Sequence, residues 1–290
     1  MFAGLIFQRQ TSKKPSLLFK SEIVGLGAKR SNNYSNLQKR CITAVILGPA
    51  VITIIFAGFP YLNTLIGFAV VILWFEWVRM VVPRQSSLLS SLCIFLIVSV
   101  LLASLGLWRV AWASVILGSC LVWIVLQFLK ITSRFNSVAA FLGFGAVGLS
   151  MLSLRIFPGD GGILLLWLFV SVWVTDSGAY FFGKLIGGPK LAPSVSPGKT
   201  WAGLIGGVFC SGLWCLFAGL YFAIGSAIEL AALGIILALL AQSGDLLMSK
   251  AKRTFMVKDT GSLLPGHGGL IDRLDGLLLT APAFTVFVFA

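Results

Sequence analysis

Between Ser249 and Asp275 the chain reads Ser-Lys-Ala-Lys-Arg-Thr-Phe-Met-Val-Lys-Asp-Thr-Gly-Ser-Leu-Leu-Pro-Gly-His-Gly-Gly-Leu-Ile-Asp-Arg-Leu-Asp. This stretch holds Lys250, Lys252, Arg253, Lys258 and Arg273, the acids Asp259, Asp272 and Asp275, and His267, the one histidine of 290 residues. Apolar sequence lies on both sides. Charges beside or inside a bilayer are costly, so an ionisable cluster between apolar segments is a functional-site candidate. Carboxylates that can bind a metal, cations that can bind phosphate and glycines that allow tight turns occur together. That combination suits chemistry on a phosphorylated substrate.

Asp272 and Asp275 are three residues apart and share a face if the segment is helical. Asp245 can approach them from the preceding apolar segment. Two readings fit these acids: binding of Mg²⁺, which takes a few carboxylates together with waters and substrate phosphates, or salt bridging with Arg253 and Arg273. The five local cations exceed the three local acids. This excess suits a nucleoside triphosphate and a lipid phosphate beside a metal, or a basic loop that grips headgroups. Gly266, Gly268 and Gly269 around His267 allow close backbone approach to phosphate oxygens. His267 is a candidate proton donor or phosphate ligand, with a structural role as the alternative.

A second polar group lies upstream. Asp176 interrupts an apolar run in Val-Thr-Asp-Ser-Gly-Ala-Tyr, and a loop with Lys184 and Lys190 leads to Ser196-Pro-Gly-Lys-Thr200. The latter is no Walker site. The stretch from Leu191 to Gly198 lacks the first glycine of G-x-x-x-x-G-K-[ST], and no strand is expected before it. A soluble nucleotidyltransferase motif of the form His-x-Gly-His needs a second histidine.

The elements that must position these residues are helices in a membrane. The chain is 58% hydrophobic and 11% charged, with a mean hydropathy of +0.99, outside the range of soluble domains. Nine apolar runs approach the length of a membrane-spanning helix: 41–58, 61–80, 88–106, 110–129, 138–156, 162–183, 201–224, 227–248 and 274–290. None shows the alternation of a barrel strand. The expected fold is all-α: a polytopic helical membrane protein with a basic tail at 1–40, a five-helix scaffold at 41–160 and a four-helix catalytic region at 161–290. With a cytoplasmic N-terminus, nine spans leave only Arg109 and Arg155, of 22 Lys and Arg, on the far side. The positive-inside rule is then satisfied. Asp176, Asp245, Asp272 and Asp275 all fall on the cytoplasmic half. The net charge of +13 reflects topology and anionic lipid contact, and no nucleic-acid partner is expected.

Residues 1–40 are basic and Ser-rich, which suits either a transit segment or a retained tail with little fixed structure. Glu76 is the one acid of the scaffold spans; it can pair with Arg79 on the neighbouring turn or join the site. Cys41, Cys93, Cys120, Cys210 and Cys215 lie in or beside apolar segments and read as small buried hydrophobes. No repeat of fixed period supports an inverted-repeat transporter.

The run Ser249-x-Ala-Lys252-Arg253-x₄-Lys258-Asp259-x-Gly261-x₂-Leu264-Pro265-x-His267-Gly-Gly269-x₂-Asp272-Arg273-Leu-Asp275 resembles the signature of the phosphatidate cytidylyltransferases, or CDP-diacylglycerol synthases. Asp176-Ser-Gly-Ala-Tyr180 and Ser196-Pro-Gly-Lys-Thr-Trp201 form a second similar block, and the resemblance covers roughly residues 39–290. Ala251 departs from a usual larger aliphatic, and Ala202 from a usual Glu. The resemblance implies the reaction CTP + phosphatidate → CDP-diacylglycerol + pyrophosphate, in phospholipid biosynthesis. It implies Asp245 and Asp272 as ligands of Mg²⁺, with K⁺ as a candidate second cation. It also implies catalytic roles for Lys252, Arg253, Lys258, His267 and Arg273, and substrate contacts from Asp176, Ser196, Lys199, Thr200, Ser249, Asp259, Gly268, Gly269 and Asp275. CTP, phosphatidate and membrane lipid are the implied partners, and a homodimer the candidate assembly. The implied location is the bacterial inner membrane, with the site facing the cytoplasm.

Two rivals stay open. A CTP-dependent prenol or lipid kinase also needs metal, CTP and a membrane site, but moves the γ-phosphate. An ion-coupled multi-pass transporter could use Asp176 and Asp245 as a relay, and leaves the Ser249–Asp275 block unexplained.

Overall fold

A computed structural model describes residues 48–82, 86–159, 161–221, 226–261 and 268–290. The basic tail, Cys41, Arg84 and the sequence from Ser262 to His267 lie outside the described residues, so the expectations placed on them, His267 included, have no structural counterpart here. The elements in chain order are α1 (Gly48–Ala57), α2 (Tyr61–Val81), α3 (Ser86–Ser91), α4 (Cys93–Ser104), α5 (Trp108–Phe128), α6 (Arg134–Arg155) and α7 (Gly161–Leu185). A hairpin of β1 (Lys190–Ala192) and β2 (Ser196–Thr200) follows, then α8 (Trp201–Tyr221), α9 (Ala227–Thr254), α10 (Ile271–Leu274) and α11 (Leu277–Phe289).

The polytopic helical expectation holds. Among the described residues, seven helical stretches are long and apolar enough to cross a membrane: α2, α3 with α4, α5, α6, α7, α8 and α9. The expected ninth span is represented by the shorter helix α11, and the first by α1, which starts at the first described residue, so the described residues do not establish a count of nine. The ninth is short for a local reason. Residues 271–274 form a separate turn, α10, and α11 keeps only 13 residues, about 20 Å at 1.5 Å per residue. The loop expected before Thr200 is also more ordered than its composition suggests. β1 and β2 pair antiparallel, Lys190 with Thr200 and Ala192 with Ser196. Gly187 and Gly188 adopt φ of +68° and +88°, which lets the chain leave the end of α7 where L-residues would be strained.

Helix α6 packs against α2, α4, α5, α7 and α11, while α8 lies between α7 and α9. Buried aromatics lock the first group. Trp74 and Phe141 meet edge to face at 4.8 Å, and the Trp74 indole donates to Leu89 O at 2.8 Å. The second group packs through small residues, as membrane helices do when backbones approach closely. A Cβ on Gly206 would collide with Phe182, and one on Gly234 with the Ser211 carbonyl. Within the bundle Trp214 donates to Ser171 Oγ at 3.1 Å, and Ser171 donates to Trp167 O at 2.8 Å. Hydrocarbon offers no alternative partner. Phe68, Phe128, Phe217 and other large apolar side chains point outward, as lipid-facing surfaces require.

The end of α9 joins the two groups. Phe255 stacks edge to face on Trp77 of α2 at 6.0 Å. At its other end α9 starts with a capping box: Ser226 N donates to Glu229 Oε2 at 2.9 Å, and Glu229 N to Ser226 Oγ at 3.4 Å. Glu229 thereby acts as a helix-starting residue.

Candidate active site

Helix α9 supplies the central row. Asp245, Ser249 and Lys252 recur at four- and three-residue intervals, which places them along one helix face. Ser249 donates to Asp245 Oδ1 at 3.2 Å. From the hairpin, Lys199 reaches this row: its ammonium lies 2.7 Å from Asp245 Oδ2 and 3.4 Å from Gln242 O. Gln242 in turn donates to Asp176 Oδ1 of α7 at 3.4 Å. Three elements distant in sequence thus meet at Asp245.

One turn further along α9, Lys252 pairs with Asp272 Oδ1 at 2.6 Å. Asp272 Oδ2 accepts from Thr260 N at 3.0 Å and Gly269 N at 3.1 Å. Burial pushes the Asp272 carboxyl up, but the Lys252 ammonium and the Thr260 and Gly269 amides outweigh it and hold the group below its ordinary value. Hydrogen bonds to the charged form have this effect. Asp272 is therefore a fixed carboxylate. The electrostatic neighbours of Asp275 include Asp245, Asp176 and Lys252, and its Oδ1 accepts from Gly276 N at 2.9 Å. Gly244 permits the approach of this segment, since a Cβ there would strike the Asp275 carbonyl.

Although three residues apart, Asp272 and Asp275 turn to different neighbours. Asp272 faces Lys252, Thr260 and Gly269, whereas Asp275 lies in the field of Asp245 and Asp176. The alternative of salt bridging is realised with lysines in the two ion pairs found among the described residues. Arg253 is exposed and donates from Nε to Val195 O at 3.4 Å, toward the hairpin. Arg273, Lys258 and Asp259 are exposed, and Arg273 acts electrostatically on Asp176. Ser196 opens β2 and is half-buried, while the Thr200 hydroxyl is buried and accepts from Gly203 N at 3.1 Å at the start of α8. Gly268 takes φ of +83°, and a Cβ there would lie 3.1 Å from Asp272 Oδ2.

The donor chemistry suits a hard divalent cation. Among the described residues no three acid, His or Cys groups form a ready metal cage. The carboxylates Asp176, Asp245 and Asp275 nevertheless lie within one another's field, and Lys199 and Lys252 are the positive groups in direct contact with Asp245 and Asp272. Few carboxylates with open positions are what Mg²⁺ takes when substrate phosphates and waters complete its shell.

Two participants, Gln242 and Thr260, are absent from the sequence reading, and a third, Glu76, follows the second of the two roles open to it. Gln242 stands three residues before Asp245 as an amide in an apolar run, a signal that was available. Thr260 lies inside the signature at a position that the resemblance leaves unspecified. Glu76 does not pair with Arg79, which is exposed. It accepts instead from Thr260 Oγ1, Leu270 N and Ile271 N.

The chain is similar to the phosphatidate cytidylyltransferase of Brucella suis biovar 1 (strain 1330), 36% identical over 261 residues, covering 87% of this chain and 93% of that protein. A Brucella abortus biovar 1 (strain 9-941) protein of the same name matches to the same extent. The Staphylococcus aureus (strain COL) protein of that name is 43% identical over 144 residues, 49% of this chain and 55% of its own length. With residues 38–290 matching the family model as well, the chain belongs to the cytidylyltransferase family.

Proposed function

We propose that this protein is a phosphatidate cytidylyltransferase, converting CTP and phosphatidate to CDP-diacylglycerol and pyrophosphate. The observation that carries the reading is the meeting of two lysine–carboxylate pairs, Lys199–Asp245 and Lys252–Asp272, on one face of α9 beside the lipid-facing bundle. The names of the relatives supply the substrate.

In this reaction a phosphate oxygen of phosphatidate attacks the α-phosphorus of CTP, and the bond to the β-phosphate oxygen breaks as pyrophosphate leaves. Such transfer depends on positioning and on stabilising charge. Lys199 and Lys252 neutralise phosphate oxygens, and Arg253, Lys258 and Arg273 surround the triphosphate from the exposed side. Thr260 and the Gly269 amide keep Asp272 aimed. Asp245 and Asp272 would hold Mg²⁺, which supplies charge neutralisation at phosphate oxygens when bound. A second, monovalent cation such as K⁺ fits the remaining carboxylates Asp176 and Asp275.

The bacterial inner membrane, with the site facing the cytoplasm, is the location this reading requires, because soluble CTP must meet a bilayer lipid. A cysteine placed at Ser262 is expected to resist an impermeant thiol reagent in sealed right-side-out vesicles, and ready labelling would reverse the orientation. The activity is tested with purified protein in detergent, Mg²⁺, phosphatidate and CTP labelled at the α-phosphate. Labelled lipid is expected. Transfer of label only from γ-labelled CTP would identify a kinase instead.

A further inference from the structure

Glu76 belongs to α2, in the half of the chain that sequence reading assigned to scaffold, yet its bonds lead to the signature. It is 6% exposed. Oε2 accepts from Thr260 Oγ1 and from Ile271 N, each at 3.0 Å, and Oε1 accepts from Leu270 N at 2.8 Å. These donors flank residues 262–267 on both sides. The Thr260 backbone N–H donates to Asp272 Oδ2 at 3.0 Å while its hydroxyl serves Glu76, so one threonine links the two carboxylates.

Two glycines make this approach possible. A Cβ on Gly269 would lie 2.6 Å from Glu76 Oε2, and one on Gly261 would lie 2.9 Å from Oε1. Any larger residue at either position would displace the carboxylate. A buried carboxylate is tolerated when its oxygens are hydrogen-bonded, and bonds from amides to a charged acceptor are among the stronger ones. A neutral apolar residue would pack α2 more simply. What the carboxylate adds is a fixed spacing between Thr260 and Leu270–Ile271, and that spacing brings the Thr260 and Gly269 amides onto Asp272.

We propose that Glu76 is a positioning residue for the cytidylyl transfer proposed above: it clamps both stems of the signature loop and so aims Asp272 and its partner Lys252. The proposal rests on that reading for its effect on rate, but the clamp itself has an independent readout.

The test compares Glu76→Gln with Trp74→Phe, a packing change on the same helix that removes the indole bond to Leu89 O. Glu76→Gln preserves size but turns an NH₂ toward N–H donors. It is expected to lower kcat about 10- to 100-fold, as loss of an outer partner of a site carboxylate does, and to speed hydrogen exchange at Leu270 and Ile271 while the remaining helices stay protected. Trp74→Phe is expected to lower the thermal midpoint and leave kcat and those two amides unchanged. If Glu76→Gln does not fold, Thr260→Val, which removes the hydroxyl that serves Glu76, is expected to shift kcat and exchange in the same direction. Wild-type kcat in the variant that folds would overturn the proposal, as would exchange that rises evenly over the bundle. Failure of the wild-type protein to label lipid from CTP would instead sink the cytidylyltransferase reading, with the exchange pattern still deciding the clamp.

Discussion

Lys199 Nζ lies 2.7 Å from Asp245 Oδ2, which ties the hairpin between α7 and α8 to the middle of the site face on α9. A carboxylate at this depth needs a cation, and the hairpin delivers one. In the proposed reaction the same ammonium is expected to exchange the carboxylate for a phosphate oxygen when substrate arrives.

Lys199→Met is therefore expected to reduce turnover of α-labelled CTP by about 10²–10³-fold, the scale of losing one preorganised charge-stabilising donor. Near-normal turnover would show that Lys199 serves only to hold the hairpin.

Asp245→Asn and Asp272→Asn should each lower turnover by orders of magnitude while the protein still inserts and purifies, because a lost metal ligand removes several kcal/mol of transition-state stabilisation. The apparent Mg²⁺ requirement, read from a titration, is expected to rise in both. Substantial activity in either variant at ordinary Mg²⁺ would contradict its assignment.

Arg253→Lys and Arg273→Lys test whether these exposed cations contact phosphate. A planar guanidinium engages two oxygens at once, whereas an ammonium acts as a point charge. Each change is expected to impair catalysis at unchanged net charge, and Lys13 and Lys14 changed together to Gln should affect turnover little. Tolerant arginines with a sensitive leader would mean that attraction to the lipid surface dominates.

Gly234→Ala probes the packing that carries α9. Its methyl would strike the Ser211 carbonyl of α8, and overpacking of this kind costs about 1–3 kcal/mol. A lower thermal midpoint in detergent is expected. An unchanged midpoint would show that α8 and α9 can separate freely.

Much of the helical layout was legible because long apolar runs leave few other solutions, and the row Asp245, Ser249, Lys252 follows from spacing alone. Other features were hidden for identifiable reasons. Hydropathy ends the eighth span near residue 248, but the helix runs on to Thr254 because Lys, Ala and Arg are good helix formers irrespective of charge. Ser-Pro-Gly-Lys-Thr has little β propensity, so β2 owes its strand to pairing with β1. Glu76 could not be placed, since its partners lie 184 or more residues away and the nearest charge, Arg79, offered a simpler local explanation. Gly269 reads from the sequence as a phosphate-approach glycine and Thr260 carries no signal of its own, because the role of both depends on that distant carboxylate.

The length of α9 has a physical consequence for the surroundings in which the protein works. From Ala227 to Asp245 the helix rises about 27 Å at 1.5 Å per residue, close to the roughly 30 Å of a bilayer's hydrocarbon. Lys252 and Arg253 follow about 10 Å beyond Asp245 on the same rise. A bilayer whose hydrocarbon begins at Ala227 would place the carboxylate at the boundary between oil and headgroups, with the cations outside it. A thicker bilayer would have to tilt α9, thin locally or draw Asp245 into hydrocarbon, each at a cost that grows with mismatch. The host membrane's acyl length is in this way a setting for the height of the site, and the enzyme's own product feeds the lipids that determine it.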